Sequence, residues 1–97
     1  MRKPSHPGFI LYDGFIEPNQ IKIQDLAEHL GFSRETLSRL CHGKTPMTAN
    51  MAISLEEAGI GKADTWLNLQ TKYSLWDQKQ KRVTKVEPFC THFVLSA

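Results

Sequence analysis

Residues Gly31–Thr48 read GFSRETLSRLCHGKTPMT, and this stretch decides the fold. Ser33 is a favourable N-cap, because its side-chain oxygen can accept from an amide of the first turn. Gly43 suits the positive φ at which helices commonly end. Between them lies a helix, Arg34 to about His42, with only Leu37, Leu40 and Cys41 to bury. So short a helix is marginal alone in water, so it must dock on a neighbour and turn its polar side elsewhere. Advancing about 100° per residue from Leu37 brings Glu35, Ser38, Arg39 and His42 out on the opposite side. Arg34 flanks the N-terminal end.

The neighbour lies immediately upstream. Ile23, Leu26, Ala27 and Leu30 recur at helical spacing until Gly31 supplies a turn. Leu26, Ala27 and Leu30 face Leu37 and Leu40, and Ala27 is small where the two helices must approach, so the pair reads as a helix-turn-helix. Further upstream, Pro7 opens a first helix carrying Phe9, Ile10, Phe15 and Ile16, with Gly14 as a weak point and Pro18 as its stop. Downstream, Thr48 caps a fourth helix that buries Met51, Ala52, Leu55 and Ala58 before Gly59 closes it.

A fifth helix, about Ala63 to Gln80, carries Trp66, Leu69, Tyr73 and Trp76 on one stripe and Leu67 and Leu75 on another side. One side packs on the other helices. The second calls for a partner, most simply another copy of the chain, unless both sides touch the same core. Beyond it KQKRVTKVEP is basic and VEPFCTHFVLSA turns apolar, a tail that reads as a short strand or a frayed end. The expected fold is all-α, a five-helix single domain over residues 1–97. It comprises a helix-turn-helix core over 7–58, a dimerisation helix over 63–80 and a tail over 81–97.

Composition narrows the function. Ninety-seven residues, 40% of them hydrophobic, make one domain with a modest core. A net charge of +2 does not announce nucleic-acid binding, so the positions of the charges matter more than their sum. Cys41 and Cys90 give no disulfide framework, and nothing resembles a signal peptide or a bilayer-spanning run. The expected location is therefore the cytoplasm, on the nucleoid when DNA is bound, with reduced thiols and no membrane contact. Cys41, His42, Cys90 and His92 are metal-competent residue types, but their spacing matches no zinc finger. No metal or other cofactor is expected. No paired-carboxylate, nucleophile-and-base or phosphate-loop pattern survives placement on the helices, so the chain does not read as an enzyme.

The outward side of the third helix suits a DNA major groove, with Arg34, Glu35, Ser38 and Arg39 as candidate base readers. Arg39 carries the planar fork that matches the O6 and N7 acceptors of guanine. Glu35 can accept from cytosine N4 and repels phosphate, or it pairs with Arg39 at i, i+4. Gln24, Ser33, His42, Lys44, Thr45 and Thr48 are candidate phosphate contacts, which position without specifying. A solvated polar side with no ligand is the alternative reading of the same geometry.

Several motifs narrow this further: HPG at His6–Gly8, EP at Glu17–Pro18, SRETLSRLCHGK at Ser33–Lys44, MT followed by MAISLEEAG, WLNLQTKYSLW at Trp66–Trp76 and VEPF at Val86–Phe89. Together they resemble the HigA-type antitoxins, a branch of the lambda and 434 repressor-like helix-turn-helix superfamily. The resemblance implies a dimeric repressor on an inverted repeat of double-stranded DNA at its own promoter. It also implies neutralisation of a partner toxin, HigB, an mRNA-cleaving ribonuclease. Trp66, Leu67, Leu69, Tyr73, Leu75 and Trp76 would then form the homodimer interface. The chain departs from the pattern at Lys22, where a Ser or Thr cap is usual, at Cys41 and His42, and in the ending CTHFVLSA. A solitary repressor with no toxin partner is the alternative function.

Overall fold

The computed structural model describes residues 3–89. Its elements are α1 (Pro7–Leu11), a π-helical segment (Tyr12–Ile16), α2 (Ile23–Leu30), α3 (Arg34–Cys41), α4 (Ala49–Glu57) and α5 (Ala63–Lys81). The all-α expectation holds across the described residues. Residues 82–89 form no strand, and the ending CTHFVLSA lies outside the described residues.

The first helix departs from the expected continuous α-helix. Beyond Leu11 the chain widens into π geometry, and Glu17 N donates to Tyr12 O at 2.8 Å. In an α-helix five residues advance about 500°, which would leave Leu11 and Ile16 roughly 140° apart. The wider π turn lets both enter the core, where they are 0% and 1% exposed. Leu11, which the sequence pattern passed over, is thus a central core residue, whereas Phe9 stays exposed.

The core gathers Leu26 and Ala27 of α2, Leu37 and Leu40 of α3, Met51, Ala52 and Leu55 of α4, and Trp66 of α5 around Leu11 and Ile16. Gly31 takes φ 85° at the end of α2, and Phe32 N donates back to Ala27 O at 2.8 Å to close the turn. The helix-turn-helix pair packs as the spacing of its leucines requires.

What seats this pair on the domain is a backbone contact. A Cβ built on Gly8 would lie 1.7 Å from the carbonyl oxygen of Leu40. At this position α1 meets the last turn of α3 main chain to main chain, which only glycine permits. His6 prepares the approach: it is 2% exposed and caps α1, with its Nδ1 accepting from Gly8 N at 2.9 Å. The Tyr73 ring meets the imidazole edge-on at 4.9 Å. Gly43, at φ 70°, leaves room for the Phe9 ring, which a Cβ would touch at 2.8 Å.

The inward line of α5 also differs from the expected stripe. It runs through Trp66 and Gln70, both buried. Trp66 Nε1 donates to Ile60 O at 2.7 Å. Gln70 Oε1 accepts from Met47 N at 2.7 Å, and Gln70 Nε2 donates to Ser74 Oγ at 3.0 Å. A glutamine so paired is tolerated inside, and counting apolar residues cannot find it. Leu67 and Leu69 are both partly buried against the same core, whereas Leu75 is 56% exposed.

Two outcomes are expected. Gly8→Ala should cost about 3 kcal/mol, the upper range for overpacking, because main chain and not a side-chain tip must yield; urea denaturation reads this directly. Burial lowers the His6 pKa from its ordinary 6.5, opposed in part by a hydrogen bond to the Thr45 backbone. With a depressed folded pKa, the unfolded chain takes up the proton first as pH falls. Stability present above pH 6.5 is therefore lost as pH drops towards the folded value. Melting at about pH 7.5 and about pH 5.5 should show the loss in the wild type and a smaller one in His6→Asn, which keeps a capping acceptor.

Candidate nucleic-acid interface

α3 begins at a working cap: Ser33 Oγ accepts from Thr36 N at 3.0 Å and shares a 2.8 Å hydrogen bond with Thr36 Oγ1. Leu37, Leu40 and Cys41 are buried beneath the helix, while Arg34, Glu35, Arg39 and His42 are exposed and Ser38 is half-buried. The outward face expected from the sequence is therefore open along its length. Glu35 and Arg39 form an i, i+4 ion pair across it, with side chains 71% and 57% exposed. So exposed a pair contributes little to stability, but it lays the guanidinium along the outer face. His42 Nδ1 lies 2.7 Å from Ser38 O, where the imidazole N–H can donate to one of the last carbonyls of α3.

The candidate phosphate residues divide between the two ends of α3. At its start, Gln24 and Arg34 line one open cleft with Tyr12 and Lys22. Lys22 is the N-cap residue of α2 and provides no side-chain cap bond, which leaves the first amides of α2 without a side-chain acceptor. Arg34, a candidate base reader, therefore lines the same cleft as Gln24, a candidate phosphate contact. At the far end, Lys44 is exposed on the loop into α4. Thr48 caps α4, accepting from Met51 N at 3.2 Å. The Thr45 hydroxyl is out of solvent and without a hydrogen-bond partner.

Sequence reasoning missed the residues that hold this loop. Gln70 bonds to Met47 N, so α5 grips the segment after α3, and His6 lines a cleft beside Gly43, Lys44 and Thr45 of the same segment. The available signal was Gln70 four residues after Trp66, on the same helical face. Tyr12 and Lys22, beside Gln24, were likewise not singled out as binding residues.

The residues proposed for a dimer interface are also distributed. Trp66 belongs to the chain's own core. Tyr73 and Trp76 have ring centroids 6.2 Å apart, and Lys3 Nζ sits 5.4 Å above the Trp76 ring. Leu75 remains exposed. Cys41 is buried, and burial pushes its thiol up to about 11, which suppresses the thiolate that metal binding or nucleophilic attack requires. Cys90 and His92 lie outside the described residues. No group of three metal-ligating side chains occurs among the described residues, and no described helix is long and apolar enough to cross a membrane.

Known proteins share this arrangement. A family model for the Cro/C1-type helix-turn-helix DNA-binding domain matches residues 13–54. An uncharacterized HTH-type transcriptional regulator of Haemophilus influenzae is 38% identical over 81 residues, covering 84% of this chain and 76% of the relative. Antitoxin HigA-1 of Vibrio cholerae is 38% identical over 80 residues, covering 82% of this chain and 75% of that protein. The solved structure of Pseudomonas aeruginosa antitoxin HigA with the higBA promoter superposes with a TM-score of 0.74 at 34% identity, covering 90% of this chain and 99% of that one. With its glycine-turned helix pair and an open polar face on α3, the chain belongs to the Cro/C1-type helix-turn-helix family of DNA-binding proteins, in its HigA-type antitoxin branch.

Proposed function

We propose that this chain is the antitoxin of a type II toxin-antitoxin module. It binds an inverted repeat at its own promoter as a homodimer, represses transcription, and neutralises a HigB-type mRNA-cleaving toxin. The observation that carries the DNA-binding part is the polar edge of α3, with Glu35, Ser38 and Arg39 outward and leucines anchoring the helix from beneath. Arg39 reads guanine in the major groove, and Glu35 orients it or accepts from cytosine. Lys44 at one end of α3, with Gln24 and Arg34 at the other, fixes the register on the phosphates. The promoter complex of the Pseudomonas antitoxin supports this reading.

One subunit offers few contacts. Useful affinity follows when two copies present their α3 helices about 34 Å apart on successive major-groove turns. The exposed Leu75 on α5 is the apolar residue best suited to join them. The toxin partner rests on likeness to HigA-1 of Vibrio cholerae. Co-expression with the adjacent reading frame tests it: a stable complex and relief of toxicity are expected. A neighbouring frame with neither property leaves a solitary repressor.

Binding to the chain's own upstream DNA, followed by fluorescence anisotropy across salt, tests the DNA reading. With about three or four phosphates held per subunit, affinity should fall by roughly 10³ to 10⁵ between about 50 and 200 mM salt. Arg39→Ala should cost about 1 to 3 kcal/mol and relax choice at one base pair per half-site. Equal loss on every DNA sequence contradicts base reading. Lys44→Ala should weaken all sequences alike and flatten the salt slope by roughly 0.9 per subunit; an unchanged slope removes it from the phosphate contacts.

A further inference from the structure

The net charge of +2 conceals an uneven distribution. Lys79, Lys81, Arg82 and Lys85 stand between Asp77 and Glu87 with no acidic residue among them. α5 ends at Lys81, and residues 82–89 continue as exposed chain outside any helix. Lys81 lines the same open cleft as Lys44, together with Ser74 and Asp77, so α5 ends beside the loop that follows α3. Asp77 pairs with Lys81 at 2.9 Å, which masks that carboxylate. Among the described residues, Lys44, Arg82 and Lys85 take part in no ion pair. The other lysines of this region stand apart: Lys72 lies about 180° around α5 from Lys81, and Lys62 is roughly a helix length, about 28 Å, away.

We infer that Arg82 and Lys85, which follow Lys81 at the end of α5, form a basic edge that holds the phosphate backbone of the bound duplex outside the reach of α3. This rests on the DNA reading above and adds a second, sequence-independent grip to it. Of these residues Lys81 lines the cleft with Lys44, while Arg82 and Lys85 line the next open cleft with Lys79. Unpaired positive charge on both favours a polyanion long enough to span them, as duplex DNA is, over an acidic protein. Neutral side chains here remove counterion release and leave base reading intact.

Two variants of equal net charge decide the matter, R82Q/K85Q and K62Q/K72Q, each checked by melting for an unchanged fold. Operator and unrelated duplexes are titrated across a salt series. In R82Q/K85Q the slope of log K against log salt should shrink by about 1.8 per subunit, roughly 0.9 for each cation. Affinity should fall by the same factor on both duplexes, and R82K/K85R should restore it. K62Q/K72Q should keep the wild-type slope. An unchanged slope in R82Q/K85Q, as when the edge docks on an acidic protein, overturns the inference while leaving the DNA reading standing. So does an equal loss in K62Q/K72Q, which reduces the effect to bulk charge. Failure of the wild type to prefer its operator sinks the DNA reading itself.

Discussion

The presentation of α3 depends on the approach of Gly8 to the Leu40 carbonyl, where no side chain separates two main chains. A base-reading helix must be held within a fraction of an ångström, since an arginine fork that misses its two acceptors gains nothing from being nearby. Leucines beneath α3 supply affinity for the core but little angular precision, because apolar contact is non-directional. The α1 contact removes that freedom at the C-terminal end of the helix, and the α2 turn removes it at the other. His6 acts at the first of these: its ring caps α1 and its burial requires the neutral imidazole, whose Nδ1 can then accept from Gly8 N.

The loop after α3 is treated differently from the helix. It is held from beneath by α5, with Met47 N satisfied by Gln70, and His6 of the α1 cap lies beside it. Lys44 is left outside on an anchored base. Since α5 also carries the exposed Leu75 and the Tyr73–Trp76 pair, one helix both holds the loop beside the proposed DNA-facing edge and carries the surface proposed to meet another subunit. Gln70 bonds to Met47 N, and Tyr73 packs edge-on against His6.

Much of the candidate site was legible because it obeys local rules. Ser33 and Thr48 cap as their side chains dictate, Gly31 and Gly43 take positive φ, and Leu37 and Leu40 turn inward at the helical period. The pairing of Glu35 with Arg39 is likewise an i, i+4 relation. The grouping of Arg34 with Gln24 and Lys22, and the burial of the Thr45 hydroxyl, were not legible. They are set by which neighbouring element arrives, and spacing within one helix carries no information about that.

The sequence by itself determined the helix-turn-helix, its caps, its outward residues and the family, since all of these are written in neighbours no more than a few turns apart. Tertiary structure alone decided the rest. The π turn exists because Leu11 and Ile16 must both reach one core. Gln70 is buried because an amide 23 residues earlier needs an acceptor. Gly8 is required because α3 passes against it. Each is a demand made across space by a distant part of the chain, and only the packed molecule brings the two parts together.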